Sequence, residues 1–208
     1  MKNINGVPVY ETLREIIDPA HSCLVIWDVQ NALVSRIFNK DEFTKNLKNL
    51  TSKLRGKMPL IYSKITLPPK GFASSWQYYW WMKMFNVSDP KDIPWFMAAG
   101  SKEMEIYEDI KPGDNDIIID KATASMFIGT YFEYLLRNRG ITTVLFAGIS
   151  TEVGIESSAR DAANRGFYPV VVSDCVSSTN AQMHENSLKI LKNLLIVEDS
   201  QAILDNTV

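Results

Sequence analysis

Six short runs of apolar, mostly β-branched residues recur along the chain: SCLVIWD (22–28), PLIYSKI (59–65), DIIID (116–120), TTVLFAG (142–148), YPVVVSD (168–174) and NLLIVE (193–198). Their hydrophobicity is near-continuous rather than alternating, the pattern of parallel strands covered on both faces. Between them, 41–55, 127–139, 153–165 and 180–192 carry apolar residues at helical spacing among charged ones. Gly140 and Gly166 stand where C-terminal caps belong. The alternation predicts an α/β protein: a three-layer, doubly wound, mostly parallel sheet of about six strands with helices on both faces. No repeat, low-complexity tract or composition break divides it, so residues 1–208 read as a single domain.

One interval breaks the rhythm. Residues 66–112 separate the second and third runs and hold four of the five tryptophans, in SSWQYYWWMKMF and DIPWFMAAG. An inserted helix whose aromatics fill core or a subunit interface is the plainer reading. A lid shaping a pocket is the functional one. The two are compatible.

In open α/β sheets, ligands bind beyond the carboxyl ends of the strands. Three positions therefore matter: Asp28 after the first run, Lys121 after the third, and the loop Ile149–Gly154 after the fourth, where a helix N-terminus attracts negative charge. Singly, each has a plain reading, since an Asp there often caps a turn and a Lys there is mostly solvated. Asp120 is an alternative to Lys121, but strand alternation points it the other way. A carboxylate, an ammonium and a helix N-terminus delivered by three separate crossovers make a site for acid–base work. Gly154 falls in the first turn of that helix, where Ala would be more stable by up to about 1 kcal/mol. A glycine there implies close approach of another group, or the absence of a side chain that would otherwise do chemistry.

The bulk numbers narrow the class. With 208 residues, 46% of them hydrophobic, the chain has enough apolar material for a substantial core. A net charge of −2 gives no electrostatic reason to expect nucleic acid or an anionic membrane. Cys23 and Cys175 form neither a disulfide framework nor a zinc-finger spacing, which suits a reduced compartment. With no signal-type apolar core at the N-terminus and no run of about 18 apolar residues, a cytoplasmic protein is expected.

The stretch LVIWDVQNAL, followed by DKATASMFIGTYFEYLLRNRGITTVLFAGISTEVGIESSARDAANRGFYPVVVSDCVSS, resembles the isochorismatase-like hydrolase superfamily of nicotinamidases, carbamoylsarcosine amidases and isochorismatases. The resemblance covers the first strand and residues 116 to about 192. It implies a doubly wound α/β domain with an Asp, Lys and Cys catalytic triad, no cofactor, a small-molecule substrate and a homo-oligomer, dimer or tetramer. Asp28 and Lys121 match two members of the triad. The cysteine of the family's T-x-x-C-V motif falls on Gly154 in TEVGI. The family's cis peptide would lie at Ile149–Ser150, and its oxyanion hole would use the backbone N–H groups of Ser150 and Gly154. Gln30 is placed to orient the loop or a bound water.

By this mapping no thiol stands at the nucleophile position, and a cysteine introduced at 154 is expected to be reactive, activated by the helix N-terminus and Lys121. The substitutes are weak. Cys175 lies just past a strand end on an adjacent strand, Cys23 roughly 16 Å from Asp28 along the first strand. Ser150 and Thr151 lack an activating histidine motif, and their expected work is to hydrogen-bond the loop. Nicotinamidase-like members resemble one another in an aspartate and two histidines after the second strand, where this chain reads YSKITLPPKGF; no metal is expected. His21 and His184 are the whole histidine complement, and His184 reads as a structural residue at a helix terminus.

Three readings follow. The first is a cysteine-independent hydrolase with Asp28 as general acid or base, including vinyl-ether hydrolysis as in phenazine-pathway isochorismatases, which also resemble this pattern with Gly in the cysteine slot. The second is a degenerate member that binds a small ligand without turnover. The third is a cysteine amidase, nicotinamidase-like, whose nucleophile has been replaced at Gly154. Retention of Asp28 and Lys121 favours the first. A dianionic substrate would need cationic partners, for which Lys64, Lys70 and Lys83 are the candidates, and burial of Asp28 would oppose the effect of Lys121 on its protonation.

Overall fold

The computed structural model describes residues 1–68, 71–94 and 100–207. The six apolar runs become β3 (Ser22–Trp27), β4 (Leu60–Ile65), β5 (Ile117–Lys121), β6 (Thr143–Ile149), β7 (Tyr168–Ser177) and β8 (Ile196–Glu198). They form one sheet in the order β5-β4-β3-β6-β7-β8, every neighbouring pair parallel. The order reverses between β3 and β6, the switch point where doubly wound sheets open a crevice beyond their carboxyl ends.

Alternation along the strands sorts their side chains to two faces. Leu24 and Ile26 of β3 meet Phe43, Leu47, Leu50 and Leu54, the buried stripe of α3 (Lys40–Leu54), with Ile203 of α8 (Ser200–Asn206). On the other face, Cys23, Val25 and Trp27 meet α5 (Phe132–Asn138), α6 (Glu156–Asn164) and α7 (Ala181–Leu194) through Phe132, Leu136, Ala159, Ala162 and Leu191. Short helices α1 (Leu13–Ile16) and α2 (Asn31–Val34) flank β3, and α4 (Ser75–Phe85) occupies the aromatic interval. A hairpin of β1 (Lys2–Ile4) and β2 (Val7–Val9) precedes them.

Where the structure departs from the expected elements, the causes are local. The helix expected from 127 starts only at Phe132, because hydroxyls hold the preceding residues in turns. Thr123 donates to the carbonyls of Ser125 and Ile128, Thr130 to that of Met126, and Ser125 to Asp161, offering the chain alternatives to helix. The helix expected from 153 is preceded by a π-turn, Thr151–Ile155, before α6 begins. In β7, Val171 faces Phe146 but Val176 faces Gly148, so Val172–Cys175 bulge against Ala147.

That bulge lies beside a close backbone approach in the sheet. Gly148 pairs with Trp27, has φ 129°, and a Cβ there would stand 2.1 Å from the Trp27 carbonyl oxygen and 2.6 Å from its nitrogen. Neither atom belongs to a side chain that might swing away. Gly148→Ala is therefore expected to cost more than about 2 kcal/mol in urea unfolding, through overpacking against immobile backbone. Gly166→Ala, at φ 80° but with nothing within 4 Å of its Cβ position, isolates the backbone penalty, about 1–2 kcal/mol. Equal costs at the two positions would show that the contact with Trp27 carries no weight.

Candidate active centre

Asp28 follows β3 with φ 48°, a left-handed conformation that Asp tolerates better than most side chains. The reversal lets the Gln30 N–H donate to the Asp28 carbonyl (2.8 Å) and turns the carboxylate back under the sheet edge, where it is 1% exposed. Ser63 of β4 completes a two-way bond: the Asp28 N–H donates to its Oγ (3.1 Å), and its hydroxyl donates to Asp28 Oδ1 (2.5 Å). Lys121 ends β5, two strands from β3, so its backbone is displaced by roughly 10 Å and only a long side chain spans the gap. Its Nζ donates to Asp28 Oδ2 at 2.6 Å and to the Thr123 carbonyl at 3.2 Å. Asp120, one residue earlier, is exposed and pairs with Lys64 at 3.3 Å, as the alternation requires.

The third contact of Lys121 is Trp27. Its Nζ lies 3.5 Å from the centroid of the indole, a cation–π contact worth about 2 kcal/mol when desolvated. The ring is 4% exposed, and its Nε1–H has no hydrogen-bond partner among the described residues. Burial pushes the Asp28 carboxyl up, against the pull of Lys121 and Ser63, and pushes the Lys121 ammonium down, against Asp28. Burial thus works against the charged form of both partners, while their mutual attraction supports it.

Gly154 lies directly against that indole. An ideal Cβ on Gly154 would stand 1.9 Å from Cη2 and Cζ2 of Trp27 and 2.3 Å from Cε2. The close approach that the glycine implied is therefore by an aromatic ring. The Ile149–Ser150 peptide is cis. The N–H groups of Gly154 and Ile155 both donate to the Ser150 carbonyl, at 3.1 and 3.2 Å, which builds the π-turn and commits the Gly154 N–H within it.

Gln30, fully buried, spends its amide on backbone: it donates to the carbonyls of Met104 (2.9 Å) and Ile65 (3.3 Å) and accepts from the Ile65 N–H (2.9 Å). These bonds tie the loop after β3 to Ile65 and to Met104 of the insertion. Asn31 and Tyr107 add to the seam, through Asn31 N–H to Glu105 (3.0 Å) and Tyr107 N–H to Val29 (2.9 Å). On α4, Trp81 is buried while Trp76 and Trp80 are exposed. Trp95 and Lys70 lie outside the described residues.

The remaining candidates are elsewhere. Cys175 sits in the core on the α3 face of the sheet, opposite the face that holds Trp27 and Cys23. Burial raises both thiols. Lys83 lies 5.5 Å from the ring of Tyr79. His21 stacks on Tyr10 at 4.5 Å, at the start of β3. His184 stands behind the loop, its Nδ1 2.8 Å from the Thr151 hydroxyl, which itself donates to the Ser177 carbonyl at 3.2 Å. Thr151 thus holds the loop by hydrogen bonds. A cleft of about 710 Å³ opens at the opposite end of the strands, lined by Arg55, Lys57, Asp114 and Arg139, and includes none of the residues of this centre. Chemistry, not volume, identifies the candidate. Trp27 and Ser63 were not singled out from sequence; the readable signal for Trp27 was two glycines, Gly148 and Gly154, bracketing the end of the neighbouring strand.

Comparison with known proteins identifies the family. The Isochorismatase domain model matches residues 22–202. YecD, an isochorismatase family protein of Escherichia coli O157:H7, is 45% identical over 75 residues, which cover 36% of this chain and 40% of YecD. A maleamate amidohydrolase of Pseudomonas putida is 35% identical over 129 residues, covering 62% of this chain and 56% of that one. The matched stretches thus span about half the length of these relatives. A cysteine hydrolase from Pseudomonas syringae pv. phaseolicola shares the fold, with a TM-score of 0.79 at 18% identity over 92% of this chain and 94% of that one. With a family model matching from β3 to α8 and the parallel six-stranded order behind it, the chain belongs to the isochorismatase family.

Proposed function

We propose that the chain hydrolyses a small molecule without a covalent intermediate at position 154, with Asp28 as general acid and then base, paired with Lys121. The observation that carries this reading is the sealed Asp28–Lys121 pair beside a residue that offers no nucleophile. Burial raises the Asp28 carboxyl, so its protonated form persists above the usual carboxylate range. That form is what vinyl-ether hydrolysis requires. The carboxyl proton passes to the terminal carbon of the enol ether, water adds to the oxocarbenium carbon, and the hemiketal collapses to an alcohol and a ketone. The proton lost by the water returns to Asp28. In this reading positive charge develops at the oxocarbenium carbon, and the Asp28 carboxylate left by the proton transfer faces it while Lys121 holds that carboxylate in place. The protein acts in the cytoplasm as a homo-oligomer, with neither cofactor nor metal.

A second substrate class is favoured by the maleamate amidohydrolase likeness: a small amide, attacked by water that the Asp28 carboxylate activates. The two differ in the form of Asp28 they need, and pH separates them. Because the folded carboxyl pKa is raised, kcat/KM through the acid is highest below that pKa and falls as pH rises through it. The amide route shows the opposite limb. A turnover screen by mass spectrometry with isochorismate, nicotinamide, carbamoyl compounds and maleamate, run across pH, distinguishes them. No turnover of any of these would favour a ligand-binding member of the family instead.

Asp28→Asn is expected to abolish turnover, and unchanged kinetics in that variant would remove the acid. The fold must be followed alongside, because the substitution strands a buried ammonium. Loss of one partner of such a pair costs about 3–5 kcal/mol. Asp28→Asn combined with Lys121→Met is expected to recover most of that stability in denaturant unfolding while remaining inactive. A double variant no more stable than the single one would show that the pair is not what the fold feels.

A further inference from the structure

We propose that Trp27 determines the chemistry of this centre: its indole fills the room that a side chain at 154 needs and seats the Lys121 ammonium, so that Trp27, Gly154 and Lys121 form one interlocked unit. The thiol is then excluded by packing as well as absent from the sequence.

A Cβ at 154 within 2 Å of Cη2 and Cζ2 is an overlap, and these atoms belong to a rigid bicycle rather than to the end of a flexible chain. The ring has little room to retreat. It is 4% exposed, its backbone is pressed against Gly148, and it packs in the same core as Ile155 of the π-turn and Ala159 of α6. Its other constraint is electrostatic. The Lys121 ammonium sits 3.5 Å from the ring centroid while also bonded to Asp28 and Thr123, so tilting the indole away removes one of the three contacts of a buried cation. Its N–H makes no hydrogen bond among the described residues; packing and the cation hold the ring. An indole at 27 and a side chain at 154 are therefore alternatives, exchangeable only together. The expectation that a cysteine at 154 alone would be reactive is corrected accordingly: that side chain collides with Trp27 before it can meet Lys121.

The inference rests on the cysteine-independent reading, but its test reads stability and thiol chemistry rather than turnover, so either can fail without the other. Three full-length variants suffice: Gly154→Cys, Trp27→Ala and the two combined, each followed by thermal melting and by peptide-resolved iodoacetamide labelling. The buried Cys23 and Cys175 serve as internal references. Gly154→Cys is expected to lower the melting temperature when Trp27 is present, and to leave it unchanged or raise it in the Trp27→Ala background, where the thiol refills the space. In the double variant the introduced thiol should label at least about tenfold faster than in Gly154→Cys alone, with an ionisation midpoint below the roughly 8.5 of a free cysteine because Lys121 stands beside it. Adding Lys121→Met should raise that midpoint, a response that packing alone would not produce. If Gly154→Cys fails to fold, a folded double variant supports the proposal, and an unfolded one beside a folded Trp27→Ala overturns it. If Trp27→Ala fails to fold, Trp27→Leu takes its place. The same melting cost in both backgrounds, or equal labelling in the presence and absence of the indole, also overturns it.

Discussion

A lysine buried at the end of an edge strand must find its charge partner inside the protein, because desolvating an unpaired ammonium costs several kcal/mol. Lys121 finds it in Asp28, two strands away, and much of the local structure follows from that distance. The strand between must leave room for the lysine stem and still bind the carboxylate, and Ser63 does both, with a small side chain and a hydroxyl 2.5 Å from Asp28 Oδ1. The carboxylate must turn inward from a strand end, and Asp28 does so at φ 48°. The remaining faces of the ammonium must be covered, by the Thr123 carbonyl and the face of Trp27. Sequence, backbone strain and packing meet at one 2.6 Å contact.

This ordering explains which parts of the molecule could be read in advance. The six strands were legible because parallel strands buried on both faces leave near-continuous apolar runs, and alternation separated Lys121 from the exposed Asp120 without coordinates. The β1–β2 hairpin was not anticipated, since its strands are mostly exposed and have no apolar pattern. Its only mark is Asn5-Gly6, both at positive φ, the dipeptide of a tight hairpin turn. The late start of α5 was hidden because the hydroxyls of Thr123, Ser125 and Thr130 act through specific hydrogen bonds that a hydrophobic pattern does not record.

The centre divides along the same line. Asp28, Lys121 and Gly154 could be placed because each ends a strand or opens a helix, and strand ends are visible in sequence. Trp27 looked like one more apolar residue in SCLVIW. Its role depends on which way β3 alternates and on what faces it across two other elements, and neither is local information. Whether burial or Lys121 prevails at Asp28 was equally out of reach, since it turns on exposures of 1% and 3% that only the assembled fold produces.

A site of this kind constrains how it can change. Replacing a cysteine with glycine in an otherwise unchanged pocket would leave a cavity, and cavities in close-packed interiors are unstable in proportion to their volume. Here the indole of Trp27, from the neighbouring strand, occupies the space beside Gly154 and gives the Lys121 ammonium an aromatic face. The Asp28–Lys121 pair stays closed at 2.6 Å beside that ring, and the proposed acid–base chemistry at Asp28 rests on it. In the proposed unit the glycine and the tryptophan are coupled, because a side chain at 154 and an indole at 27 need the same space.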